Sequence, residues 1–373
     1  MIYLDHNATT HIDERVVDAM QPYLHQLYGN PSSLYRLGRI ARSAIDTARE
    51  QLATLIDAPA AQIVFTSGGT EANALALNSA QGRRISVSAI EHPAVLENIE
   101  CQPERYTAFS KLPVTADGQV CISNTPIHEI KKGDFISIML ANNETGAIQD
   151  VSGLVEALSG QEVIFHTDAV QALGKIPLSF EKLGVQLMSL SSHKIYGPKG
   201  CGALVFQADL NLKPLQSGGN QEKGIRAGTE NVAAIVGFGK AAELARLELE
   251  QRIHHLHTLR NRLEQQLKSL PGLVIFAEQS LRLPNTVQFG LPGINGEMLL
   301  MQLDQRNIAV SSGSACATGS ENISPVLAAM GIHPNLAKSA IRVSLGKDNT
   351  EADIDQFVGT LKELTKSAIT CPK

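Results

Sequence analysis

The chain has 373 residues, 43% hydrophobic and 18% charged, an ordinary globular balance in a length that exceeds one small core, so two domains are expected. A net charge of −5, with lysine and arginine scattered apart from pairs such as Arg83-Arg84 and Lys131-Lys132, excludes a global bias toward nucleic acid or an anionic membrane. No run approaches the roughly 20 apolar residues of a membrane span, and Met1-Ile2-Tyr3-Leu4-Asp5-His6-Asn7 lacks a signal peptide's basic flank and apolar stretch, so a cytoplasmic protein is expected.

Between about residues 60 and 210, short β-rich runs alternate with helical patterns. Ile63-Val64-Phe65 leads through Gly68-Gly69-Thr70 into a helix beginning Glu71-Ala72-Asn73. Ile85-Ser86-Val87, Phe135 to Leu140, Val163 to His166 and Cys201 to Phe206 read as further buried strands. Strands separated by helices predict a mainly parallel sheet covered on both faces, with ligands at the carboxyl ends of its strands. From Asn231 to about Leu270 the pattern is helical. Unbroken, it would run roughly 60 Å at ~1.5 Å per residue, either bridging two domains or dividing into two helices before Pro271-Gly272. Leu273 to Phe276, Thr286 to Phe289 and Ile308 to Val310 then predict a smaller α+β unit. Thr350, with Glu351 and Asp353 in the following turn, is a good N-cap for a last helix.

Chemistry-bearing residues gather at the ends of these strands. Ser67-Gly68-Gly69-Thr70 joins a strand to a helix N-terminus, where glycine backbone and free N–H groups suit a phosphate; an ordinary tight turn would look the same. Glu91-His92-Pro93 follows another strand, where an imidazole could stack on a flat cofactor or serve as a structural histidine. His166-Thr167-Asp168-Ala169-Val170-Gln171 puts a carboxylate where a pyridine nitrogen needs an acid. Gln171 is within reach of the same ring's oxygen, although Asp168 could equally cap the next helix. Ser191, His193 and Lys194 bring hydroxyl, imidazole and amine together before Gly197-Pro198-Lys199-Gly200. That lysine reads as the attachment point of an aldehyde cofactor. Arg342, in the strand-like Ser339 to Ser344, suits a substrate carboxylate or a structural salt bridge.

Five widely spaced cysteines (Cys101, Cys121, Cys201, Cys316 and Cys371) form no CxxC pair, which argues for a reducing compartment. Only Cys316 lies among small polar residues, Ser311-Ser312-Gly313-Ser314-Ala315-Cys316-Ala317-Thr318-Gly319-Ser320, and it reads as a nucleophile on a loop. The His254-His255-Leu256-His257 cluster lacks HExxH spacing and reads as a solvated helix face; no metal is expected.

In this order the motifs resemble the cysteine desulfurases of the NifS/IscS type, class-V aminotransferases of the pyridoxal-phosphate fold type I. The similarity runs from Tyr3-Leu4-Asp5 to Ser344-Leu345-Gly346. It includes Gly29-Asn30-Pro31-Ser32-Ser33, Asn142-Asn143-Glu144-Thr145-Gly146, Gly218-Gly219-Asn220-Gln221-Glu222 and Arg226-Ala227-Gly228-Thr229-Glu230-Asn231. Tyr35 stands where members often carry histidine, and Ser192 where glycine is common.

The resemblance implies an α/β fold: a large domain, residues 15–255, on a mainly parallel seven-stranded sheet, and a smaller α+β domain from residues 1–14 and 256–373 that carries the cysteine loop. It implies that Lys194 holds pyridoxal 5′-phosphate and moves the substrate's α-proton, that His92 stacks on the ring, and that Asp168 and Gln171 pair with its nitrogen and oxygen. Gly69, Thr70, Ser191 and His193 would hold the phosphate, joined by Thr229 from the other subunit of a homodimer with shared active sites. Asn143, Arg342 and Asn30 would orient cofactor and substrate. L-cysteine would yield L-alanine and a persulfide on Cys316. Five residues beyond Ser311, Cys316 could travel roughly 17 Å at ~3.4 Å per residue to a protein acceptor, an iron–sulfur scaffold or a sulfur relay, serving iron–sulfur cluster assembly or thio-modification of nucleic acid. No direct nucleic-acid or membrane contact is implied. The chain ends soon after the Thr350 helix, short of the tail with which housekeeping members dock the scaffold, which leaves a dedicated or accessory sulfur-transfer role open.

Overall fold

The computed structural model describes residues 1–121, 130–312 and 323–369, so Cys316 and Cys371 lie outside the described residues. The chain opens with β1 (Ile2–Tyr3), α1 (Glu14–His25) and α2 (Arg36–Ile56). Asp13 caps α1 by accepting from the Arg15 N–H. In α2, Ala41, Ile45, Ala48, Leu52 and Ile56 recur every three to four residues as a buried stripe. Then follow β2 (Ile63–Thr66), α3 (Gly69–Asn78), β3 (Arg84–Ser88), α4 (Pro93–Glu100), β4 (Ala108–Leu112) and β5 (Phe135–Ser137). The large sheet is completed around α5 (Val151–Ala157), β6 (Ile164–Asp168), α6 (Phe180–Leu183), β7 (Leu187–Ser191) and β8 (Gly202–Phe206).

Seven of these strands lie in the order β2-β8-β7-β6-β5-β3-β4, and only β8 runs against its neighbours. The remaining pairs are parallel, as the alternation of strands and helices predicts. Successive side chains serve opposite faces. Ile63, Phe65, Phe165, Met188, Leu190, Ala203 and Val205 join α2 and the start of the long helix in one core; Val64, Val87, Phe135, Ile164, Leu187 and Leu204 join α3 and α4 in the other. The carboxyl ends of β2, β3, β5, β6 and β7 therefore share one edge of the sheet.

One expectation needs correction, and the strands β4 and β7 went unread in the sequence. The run from Phe135 to Leu140 is not a full strand: β5 leaves β3 after Ser137, though Ile138 and Leu140 still donate to His166 and Asp168 backbone oxygens. The edge strand β4, invisible in the sequence, exposes three of its five residues, Ala108, Ser110 and Lys111, and so carries no apolar run.

The long helical pattern is one unbroken helix, α7 (Val232–Leu267), started by the Asn231 side chain accepting from the Ala234 N–H. Its first half buries Ile235, Phe238 and Ala242 against the large sheet's core. Its second half buries Leu256, Leu259, Leu263 and Leu267 in another core with Leu4, Val287 and Ile354. That core lies under β9 (Val274–Ile275), β10 (Thr286–Gly290), α8 (Gly296–Asp304), β11 (Ile308–Ala309), β12 (Ile341–Ser344) and α11 (Glu351–Ile369), while α9 (Pro325–Ala329) and α10 (Pro334–Ala337) pack in a separate cluster with Ile90, Met139 and Phe276. Here β12, β10 and β9 form an antiparallel sheet, and β11 pairs with the N-terminal β1. Thr350 and Asp353 cap α11 reciprocally, each side chain accepting from the other's N–H. Among the described residues no helix is long and apolar enough to cross a membrane.

Candidate active site

The turn between β2 and α3 closes over the first residue of β8. A Cβ on Gly202 would lie 2.5 Å from the Gly68 carbonyl carbon, so no side chain fits between them. The first N–H groups of α3 are left free of helical partners beside Gly69 and Thr70. Glu71 accepts from the Ser67 N–H at 2.7 Å and pairs with Arg226 at 2.9 Å, which ties this turn to the loop carrying Thr229.

At the end of β6, Asp168 is buried. One carboxylate oxygen accepts from Asn73 Nδ2 at 2.7 Å and the other from the Val170 N–H at 2.9 Å. His166, two residues earlier, touches the hydroxyls of Ser137 and Ser189 at 2.8 and 2.9 Å, and burial pushes its pKa down to about 3. It is a neutral strut between strands. Beyond the strand, Gln171 Nε2 donates to the Asn7 carbonyl at 2.9 Å.

Lys194 follows β7 on a single 3₁₀ turn, and its Nζ donates to the backbone carbonyls of Asn7 and Ala8 at 2.6 and 2.7 Å. Burial lowers its pKa to about 8; Arg342 pushes the same way, while Asp168 and Asp5 oppose it. His193 Nδ1 lies 3.1 Å from the Thr9 hydroxyl, with a pKa near 4 set by burial and then by Lys194 and Lys199. Ser192 presses its hydroxyl against Gly197, where a Cβ would sit 2.1 Å away.

His92 caps α4: its Nδ1 accepts from the Ala94 N–H at 3.0 Å, which leaves the proton of the neutral ring on Nε2. Burial lowers its pKa. Neighbouring Glu91 is buried, accepts from the Ser88 hydroxyl and the Met139 N–H at 2.6 Å each, and is raised to about 8 by burial.

Arg342 is 2% exposed, and one of its alternatives is realised directly: Nη2 donates to Asp5 at 2.7 Å and Nη1 to the Asn143 carbonyl at 3.0 Å. Its Nε has no partner among the described residues, so part of the guanidinium fork is still unclaimed. Asn143 sits in a loop braced by the Asn142 side chain, which accepts from the Glu144 and Thr145 N–H groups.

A cavity of about 450 Å³ collects Gly69, Thr70, His92, Asn143, Asp168, Gln171, Ser191, His193, Lys194 and Arg342. Asn30 and Thr229 are exposed on loops outside it, and Cys316 lies outside the described residues. Both flanks of the cysteine segment reach the cavity's surroundings. Ser311 exchanges backbone hydrogen bonds with Arg342, and the Ser324 hydroxyl donates to Glu144 at 2.6 Å.

Sequence reasoning missed Asn7, Ala8, Asn73, Glu144 and Lys175. Asn73 was accessible, since it lies four residues after Gly69 on the same helix face. Asn7 and Ala8 had no local signal, because they act through backbone carbonyls on a lysine some 187 positions away. In the histidine cluster, His255 contacts the Asn349 carbonyl and His257 contacts Asn261. Among the described residues no three potential ligands converge.

The model of the aminotransferase class-V family matches residues 2–357, and the chain belongs to that family. Its relatives place it on the cysteine desulfurase branch. It is 40% identical to a cysteine desulfurase IscS of Dictyoglomus turgidum, over 99% of this chain and 95% of the relative. Among solved structures it superposes on a NifS-like protein with a TM-score of 0.92 at 36% identity, covering 98% of this chain and 99% of the other. It also superposes on SspA in complex with cysteine, with a TM-score of 0.82 at 28% identity over 92% and 99% of the two chains. The resemblance read from the motifs is borne out at the level of family and fold.

Proposed function

We propose that the chain takes the sulfur of L-cysteine with pyridoxal 5′-phosphate, releases L-alanine and leaves a persulfide on Cys316 for a protein acceptor. One observation carries the proposal: Lys194, an amine lowered to about 8 by burial, shares a cavity with the buried Asp168 carboxylate. The likeness to a structure that holds cysteine supports the substrate.

The residues present fit the cofactor. A reactive amine, a buried carboxylate and a glycine turn at a helix N-terminus meet in one cavity large enough for a small ring. Bound there, pyridoxal phosphate supplies an electron sink that makes the α-proton of an amino acid labile. Lys194 holds its aldehyde, and Nζ then carries the α-proton. Asp168 would hold a proton on the ring nitrogen, Gln171 would donate to the ring oxygen, and His92 would cover the ring. Gly69, Thr70, Ser191 and His193 hold the phosphate. Arg342 takes the substrate carboxylate with its unclaimed donors, beside Asn143 and Asn30.

Cys316 attacks the substrate sulfur as a thiolate. A sulfur–sulfur bond forms, the carbon–sulfur bond breaks with its electron pair returning to carbon, and protonation completes L-alanine. Ser311 and Ser324 anchor the segment that delivers the thiol. Exposed Thr229 completes the site across a homodimer. Residues 15–255 form the large domain and residues 1–14 and 256–373 the small one, in line with the handover of α7 between two cores. The enzyme works in the cytoplasm and passes sulfur to an iron–sulfur scaffold or a sulfur relay.

The cofactor-loaded protein, given L-cysteine and a reductant, should form alanine and sulfide in equal amounts. The Cys316→Ala variant should lose alanine formation; full retention would overturn the persulfide route.

A further inference from the structure

Lys175 is buried at the end of the turn that begins with Gln171, and it does not line the cavity. Its Nζ has two partners, both amide oxygens: Gln171 Oε1 at 2.6 Å and Asn7 Oδ1 at 2.8 Å. Among the described residues no carboxylate offsets it. The charges that act on it are those of Lys194 and Arg342, and with burial they hold its pKa well below the ordinary lysine value. A buried amine without an acid is a poor choice for stability alone, where an apolar side chain of similar length would serve better.

What the amine does is break a symmetry. The two ends of a primary amide have nearly the same shape, and only their partners decide which is oxygen and which is nitrogen. By claiming Gln171 Oε1, Lys175 turns Nε2 to the Asn7 carbonyl, the same oxygen that receives Lys194. By claiming Asn7 Oδ1 together with Asn285 Nδ2, it turns Asn7 Nδ2 to Thr286 and to the Asn143 carbonyl, which also receives Arg342. The backbone supports this placement. Gly174 has a φ of +67°, and a Cβ there would sit 2.8 Å from the side chain of Ile195, the residue after Lys194.

We propose that Lys175 is a positioning residue of the cofactor site, fixing the amide orientations of Gln171 and Asn7 so that Gln171 offers a donor to the cofactor and Asn7 Nδ2 a donor to the Asn143 carbonyl that Arg342 also uses. This rests on the functional reading above, and one experiment separates the two. Wild type, Lys175→Met, Gln171→Ala and the double variant are loaded with pyridoxal 5′-phosphate. The absorption maximum of the imine band and the cofactor dissociation constant are then measured, with melting temperatures as the check on folding.

Lys175→Met should shift the band and weaken cofactor binding about tenfold or more, yet change binding less than about twofold in the Gln171→Ala background, because the two act as one unit. Equal effects in both backgrounds, or an unshifted band in Lys175→Met, would overturn the proposal. If Lys175→Met does not fold, Lys175→Gln, which keeps a donor on a shorter arm, enters the same cycle under the same criteria. A wild-type chain that shows no imine band sinks the functional reading instead.

Discussion

Lys194 and Glu91 are both pushed by burial toward their neutral forms, and each makes a prediction at the scale of a residue. Only a deprotonated amine attacks an aldehyde. With Lys194 near 8, the rate at which the cofactor-free chain forms an imine with pyridoxal phosphate should rise with pH through about 8 and level off. An ordinary lysine would keep rising to its usual 10.5. Stopped-flow absorbance against pH checks this, and Lys194→Ala should show no band at any pH. Glu91 stands near 8 in the folded chain against 4.5 as a free side chain. Between those values the folded state binds more protons than the unfolded one, so this residue's contribution falls as pH rises and is flat above about 8. Glu91→Gln removes that term. Its melting temperature relative to wild type should therefore be higher at pH 8 than at pH 5; an unchanged difference would show that Glu91 does not carry the proton.

Two contacts decide how elements meet. Gly202 lets β8 pass beneath the Gly68 turn, and Gly202→Ala places a carbon 2.5 Å from backbone that cannot rotate away. A loss of roughly 1–3 kcal/mol is expected, together with weakened cofactor binding, since the displaced turn includes Gly69 and Thr70. Calorimetry and cofactor titration measure the two effects separately. Arg49 of α2 grips Glu222 with both Nη atoms at 2.8 and 2.9 Å and also donates to the Ile63 carbonyl; Glu222 in turn receives the Phe65 N–H of β2. Arg49→Ala strands a buried carboxylate and should cost about 3–5 kcal/mol in chemical denaturation. Five of the six buried strands of the large sheet were legible because both faces are covered and their runs are apolar; β7, whose run is interrupted by Ser189 and Ser191, was not. Edge strand β4 was not, because one-sided pairing asks little of its side chains.

At the scale of the molecule, Thr229 is exposed in the single chain and lies outside the cavity, which under the proposal makes the site complete only in a dimer. Mixing Lys194→Ala with Thr229→Arg, each inactive alone, should then recover about a quarter of wild-type activity after subunit exchange. Half the dimers would be mixed, and each mixed dimer would hold one intact site. Activity no higher than the sum of the parents would place Thr229 outside the shared site. Sedimentation of the same mixture reports the association state directly.

Local sequence was enough for the parts of the site whose chemistry is carried by short segments. The Gly68-Gly69 turn, Asp168 and Gln171 at one strand end, Ser191 to Lys194 at another, and the capped helices all depend on residues a few positions apart. Family membership followed from their order. Tertiary structure decided what depends on distant parts of the chain meeting. The start of the chain lies across the sheet edge, so Asn7 and Ala8 receive Lys194 through carbonyls that every residue type possesses. Asp5 and the Asn143 carbonyl claim two nitrogens of Arg342, and Nε has no partner among the described residues. Burial first, joined at the two lysines by neighbouring positive charge, moves Lys194, Glu91 and Lys175 from their ordinary protonation, and both belong to the folded chain rather than to any segment of it.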